Sequence, residues 1–195
     1  MKNPVIQKGI HEAILNNRMD DIINLIKHQG IDVNFLNQSG ESPLHLATLI
    51  NNPELIKILI DMGANINCTN KYGETPLHLA TFCKNLEVIK LLIDSKANIN
   101  CADNYGNTPL HLSIYSENLE VIKLLIDSKA NIDVSNKLSK TPLEIANDKK
   151  NDKIILIIKN KSEVNNHHIP PTGITRSSAK KNPEPLNVYV SKYIN

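Results

Sequence analysis

The tetrapeptide Thr75-Pro76-Leu77-His78 returns as Thr108-Pro109-Leu110-His111, 33 residues later. One period earlier stands Ser42-Pro43-Leu44-His45, and one period later Thr141-Pro142-Leu143-Glu144. A second landmark keeps step: Asn85-Leu86-Glu87-Val88-Ile89-Lys90-Leu91-Leu92-Ile93-Asp94 is repeated unchanged from Asn118 to Asp127. Upstream, Ala13-Ile14-Leu15 and Leu25-Ile26 align with Ala47-Thr48-Leu49 and Leu59-Ile60 at an offset of 34, the extra residue falling at His28-Gln29. A period of this length restricts the chain to a row of stacked supersecondary units. Five are expected: clear ones at 37–69, 70–102 and 103–135, and degenerate ones near 5–36 and 136–162.

Local chemistry predicts the shape of each unit. Thr75 is a helix N-cap, and Pro76 at the first helical position loses nothing by lacking an N–H. His78 stands three residues after the cap, where a capping box places Glu or Gln, so its ring reaches back toward the turn. Leu77, Leu79 and Ala80 face inward on a short first helix. Asn85 caps a second helix whose Leu86, Val88, Ile89, Leu91, Leu92 and Ile93 are apolar nearly all round. Such a helix must be covered on both flanks, and the next copy is the cover. Ala97-Asn98-Ile99-Asn100 followed by Asp103-Asn104-Tyr105-Gly106 reads as an extended strand entering a tight turn.

The stretch Asn70-Lys71-Tyr72-Gly73-Glu74-Thr75-Pro76-Leu77-His78-Leu79-Ala80, with Leu91-Leu92-Ile93 and Ala97-Asn98-Ile99-Asn100, resembles the ankyrin repeat. The resemblance is strongest over 37–135, weaker in the flanking units, and covers about four-fifths of the chain. It implies an all-α solenoid of stacked helix–turn–helix units with short β-turn or hairpin fingers. It also implies a non-catalytic protein-binding module.

Two departures from the family pattern carry expectations. Gly usually ends the second helix in a left-handed turn. Gly30 and Gly63 comply, but Lys96 and Lys129 take that place in the next two units. Lysine there costs several tenths to about 1 kcal/mol, partly offset by its charge at a helix C-terminus. The fifth unit has Ser139 for the turn Gly and Glu144 for the His. Its second helix mixes Lys149, Lys150, Asp152, Lys153 and Lys159 with the Ile154–Ile158 run, as a terminal cap requires.

Composition closes other routes. With Lys+Arg 22 against Asp+Glu 20, the net charge of +2 argues against a nucleic-acid protein or a polybasic membrane binder. Three Cys are too few for a disulfide scaffold. The run Ile154–Ile158 is far short of the roughly 20 residues that span a bilayer. Met1-Lys2-Asn3-Pro4 leads into a polar stretch without an export signal, so a reducing cytoplasm is the expected compartment.

No enzyme motif emerges, and no cofactor is expected. His45, His78 and His111 occupy one slot in successive units, about 8–10 Å apart in stacked helix pairs, whereas Zn–N bonds are about 2.0–2.1 Å. They are read as caps, and no metal site is expected there or at His167-His168. Cys68 and Cys101 share another slot and, with Cys83, are expected as free thiols. The 7 Gly stand singly, without a phosphate-cradling loop.

What the repeat leaves variable is what is free to recognise a partner. By the resemblance, turn tips are fingers: Gln38, Ser39, Glu41; Lys71, Tyr72, Glu74; Asn104, Tyr105, Asn107; Lys137, Leu138, Lys140. The exposed ends of the first helices are the palm: Leu49 and Ile50, Phe82 and Cys83, Tyr115 and Ser116. Leu49, Phe82 and Tyr115 share one slot and should form an apolar stripe flanked by Tyr72 and Tyr105. Such clusters serve as interface hot spots. Burial of the helix pair by Ile50 and Phe82 is the competing reading.

Residues 163–195 read as a flexible, mildly basic tail. It holds Ile169-Pro170-Pro171-Thr172-Gly173 and Asn182-Pro183-Glu184-Pro185, with +3 over 161–195. Its end, Leu186 to Ile194, alternates like a strand and suits a docking peptide or export signal. The functional expectation is a monomeric scaffold or adaptor, with a bacterial effector exported by a non-classical route as one form of it. A regulatory subunit or inhibitor masking a single partner enzyme is the alternative.

Overall fold

The computed structural model describes residues 4–165, with side chains placed for 9–161. Ten α-helices and no strands occur among the described residues: α1 Pro4–Leu15, α2 Met19–Gln29, α3 Pro43–Leu49, α4 Pro53–Asp61, α5 Pro76–Phe82, α6 Leu86–Asp94, α7 Pro109–Tyr115, α8 Leu119–Asp127, α9 Pro142–Asp148 and α10 Asp152–Asn165. Each odd-numbered helix packs on the even one that follows it. The odd helices also stack on one another in chain order, as do α4, α6, α8 and α10. The result is a two-layered all-α solenoid.

The helices begin where the sequence places them, and for the expected reason. Ser42, Thr75, Thr108 and Thr141 are extended at the N-cap, each followed by Pro at the first helical position, and each closes a capping box with the residue three places on. In the inner units that residue is His. The backbone N–H of Ser42, Thr75 and Thr108 donates to Nδ1 of His45, His78 and His111, at 3.1 Å in each case. Asn52, Asn85 and Asn118 cap α4, α6 and α8.

Packing follows from the apolar circumference of the second helices. In α6, Val88, Ile89 and Leu92 are fully buried, while Leu86, Leu91 and Ile93 press against the core from its flanks. One apolar cluster runs unbroken from Ile10 to Ile158. A fully buried Leu or Ile stabilises by about 1.5–3 kcal/mol, and neighbours supply most of the cover here.

The expected strand at Ala97-Asn98-Ile99-Asn100 is absent; Ile99 and Asn100 lie in a turn. Side-chain amides replace the sheet ladder. The N–H of Asn65 donates to Oδ1 of Asn34 (2.6 Å), that of Asn98 to Asn67 (2.7 Å), and that of Asn131 to Asn100 (2.8 Å). The alternating pattern mimics a strand, but an Asn side chain that accepts a backbone N–H competes with regular pairing.

The left-handed turns fall where expected. Lys96 and Lys129 have φ of 71° and 72°, in the same turn that Gly63 makes at 88°. Helix α10 continues to Asn165. The expectations for the remainder of 163–195, with the docking or export reading of 186–194, lie outside the described residues.

Candidate partner-binding surface

Each finger is a turn tied by one polar side chain at its base. Asn70 Oδ1 accepts the N–H groups of Tyr72 (2.9 Å) and Glu74 (3.1 Å). Asp103 Oδ1 accepts those of Tyr105 and Asn107, both at 2.8 Å. Asn37 and Asn136 do the same in the outer fingers. Tips then stack through single backbone bonds: Lys71 N–H to Ser39 O (3.2 Å), Asn104 N–H to Tyr72 O and Lys137 N–H to Tyr105 O (both 2.9 Å).

The palm is fixed to the fingers by the capping histidines. Nε2–H of His45 donates to the carbonyl of Glu74 (2.9 Å), that of His78 to Asn107 (3.0 Å) and that of His111 to Lys140 (3.2 Å). Each accepting carbonyl sits one residue before the next unit's N-cap, so one ring joins the caps of two units. In the fifth unit Glu144 takes the ring's place, and its Oε2 accepts the N–H of Thr141 at 2.8 Å.

Among the residues expected to display themselves, Lys71, Asn104 and Tyr105 are exposed, Tyr105 at 40%. Lys71 Nζ lies 5.0 Å above the ring of half-buried Tyr72, and Asn104 Nδ2 donates to the Lys71 carbonyl at 3.0 Å. Two residues are corrected. Glu74 is 1% exposed and Asn107 is fully buried, so neither offers its side chain at the tip. Glu74 Oε2 accepts from Asn70 Nδ2 (2.7 Å), and Asn107 Oδ1 accepts from Asn136 Nδ2 (2.8 Å). They belong to the base of the finger, where a polar group must be satisfied.

The palm slot does not form a uniform stripe. Leu49 and Phe82 are half-buried, and Leu49 and Ile50 pack on the core. Tyr115 is only 8% exposed, belongs to the core cluster, and accepts a bond at its hydroxyl from Asn136 Nδ2 (3.3 Å). Ser116 is half-buried and donates to the Ser113 carbonyl at 3.1 Å. In the fifth unit the slot holds Asp148, paired with Lys140 at 3.1 Å. Along this one slot, apolar exposure therefore concentrates toward the N-terminal units.

Leu15, the same slot one offset upstream of Leu49, is 61% exposed and was not among the expected residues. The alignment of Ala13-Ile14-Leu15 with Ala47-Thr48-Leu49 is the signal that pointed to it. Beside it a cavity of about 340 Å³ is lined by Leu15, Asn17, Ile50, Asn51, Asn52 and Pro53.

The thiols do not form a reactive site. Cys68 Sγ lies 3.1 Å from Ser42 Oγ and 3.5 Å from His45 Nδ1, and burial pushes its pKa up, which keeps it protonated. Among the described residues no group of three or more His, Cys, Asp or Glu is placed to hold a metal ion, and no helix is long and apolar enough to cross a membrane.

Comparison with curated proteins gave no match. A family model described as "Ankyrin repeats (3 copies)" matches residues 10–103, and another described as "Ankyrin repeats (many copies)" matches residues 84–126. With paired helices in register over the same span, the chain belongs to the ankyrin repeat family.

Proposed function

We propose that this chain is a non-catalytic, monomeric scaffold or adaptor that captures a protein partner on its palm and finger tips. Ankyrin repeats generally mediate protein–protein interaction. The observation that carries the reading for this chain is its row of partly exposed apolar groups: Leu15, Leu49 and Phe82 on the palm, with Tyr72 and Tyr105 on adjoining fingers. A bacterial effector would use the same surface. Stacked tips and joined caps hold these groups in place before a partner arrives, which lowers the ordering cost of association.

The test is affinity capture from cytosolic lysate with wild type, a Phe82→Ala/Tyr105→Ala double variant and Tyr115→Ala. The double variant should lose captured partner at least tenfold with an unchanged circular dichroism spectrum. Tyr115→Ala should lower the melting temperature, as a core truncation of about 3–5 kcal/mol does. Equal capture by wild type and the double variant refutes the assignment of the surface.

A further inference from the structure

The loops that join each first helix to its second carry a ladder of side chains along one edge of the palm. In the first four units the residue before the N-cap of the second helix has positive φ: Asn17, Asn51, Lys84 and Glu117. From the second unit on, the N-cap itself is Asn52, Asn85, Asn118 or Asn151, whose Oδ1 accepts an amide of the helix it starts. That leaves each Nδ2 to donate to the preceding unit. Asn52 donates to Asn17 Oδ1 (2.6 Å), Asn85 to Asn51 Oδ1, and Asn151 to Glu117 Oε2 (2.8 Å).

One rung is different. Between the third and fourth units the acceptor position holds Lys84, whose ammonium only donates. Among the described residues no acceptor meets Asn118 Nδ2 and no anion pairs with Lys84 Nζ. Lys84 is exposed and Asn118 half-buried, so both donors are open to solvent at this seam. The capping Oδ1 of Asn118 is engaged by the amides of Glu120 and Val121, which fixes Nδ2 as the outward group.

The following seam shows what an amide and an ammonium hold together on this scaffold. There Glu117 accepts from Asn151 Nδ2 at 2.8 Å and from Lys149 Nζ at 3.3 Å. Those two bonds also hold its pKa below the ordinary carboxylate value. Lys84 and Asn118 are the same two donor types, set on opposite sides of their seam. Glu117, the acidic residue next to Asn118 in the chain, is already bound to the fifth unit. Phe82, two residues before Lys84, places the seam beside the palm.

We propose that the seam between the third and fourth units binds an acidic side chain, Asp or Glu, of the protein partner, Asn118 Nδ2 and Lys84 Nζ donating to its two oxygens. A partner as the source of that carboxylate rests on the proposed function; the affinity of the seam for a carboxylate does not.

Nitrogen-15 NMR of the full chain tests this, with a terminally blocked tetraglutamate peptide as the probe and tetraglutamine as its neutral counterpart. Tetraglutamate should shift the Asn118 side-chain amide and leave those of Asn52 and Asn151, already bonded, in place. Lys84→Glu supplies the acceptor from within the chain. It should move the Asn118 signal toward that of Asn151 without peptide and weaken tetraglutamate about fivefold. Asn118→Asp keeps a helix cap, removes the donor, and should weaken it as much. Lys90→Glu makes the same charge change on the exposed face of α6 and should alter affinity less than about twofold. An equal shift with tetraglutamine, an Asn118 amide that does not move, or an equal loss in Lys90→Glu overturns the proposal. If the Asn118 shift appears as described while Phe82→Ala/Tyr105→Ala captures as much partner as wild type, the palm assignment fails and the carboxylate site stands.

Discussion

The finger turns and the turns that end the second helices both require positive φ, yet they treat glycine differently. Gly40, Gly73 and Gly106 hold the fingers at 73°, 77° and 77°. A Cβ there would meet the next unit's backbone nitrogen: Lys71 at 2.8 Å, Asn104 at 2.7 Å and Lys137 at 2.8 Å. At Gly30 and Gly63 it would meet nothing within 4 Å, and Lys96 and Lys129 occupy the equivalent turns. A left-handed residue alone is a tolerable local cost; a neighbour's main chain in the space of the side chain is not. The last finger agrees with this rule. Ser139 stands there at φ 55°, and among the described residues no further finger stacks upon it.

Three substitutions measure the difference. Gly73→Ala combines the conformational penalty with the collision at Asn104 and should cost about 2–4 kcal/mol in chemical denaturation. A loss below 1 kcal/mol would mean that tips slide apart freely, and the contrast would collapse. Gly63→Ala carries the conformational term alone, about 1 kcal/mol, and should leave the Asn98 to Asn67 bond intact. Lys96→Gly should raise stability by several tenths to about 1 kcal/mol, read as a higher melting temperature. An unchanged or lower value would show that the Lys96 charge at the end of α6 matters more than its backbone.

The features read correctly from the sequence are those set within a few residues. Thr75-Pro76-Leu77-His78 specifies a capped helix start by itself, and Asn85 another. The failures arise where a neighbour decides. Ala97-Asn98-Ile99-Asn100 has strand-like alternation, but Asn67 supplies an acceptor from one unit away. Glu74 and Asn107 look like tip residues in a turn considered alone; the base of the finger draws them inward. Tyr115 occupies the slot of Leu49 and Phe82, yet a partner at Asn136 gives its hydroxyl a buried destination. Two copies of one slot thus differ in exposure because their neighbours differ.

The joined caps give the array a head and a tail. Every link is a donating ring on one module and an accepting carbonyl on its successor, and the series closes at Glu144, whose carboxylate cannot donate onward. Duplicating residues 70–102 in place would present ring to carbonyl at both new seams and lengthen the protein without new design. Splicing an extra module after the fifth would set an anion against an oxygen, so growth is open inside the row and closed at that end.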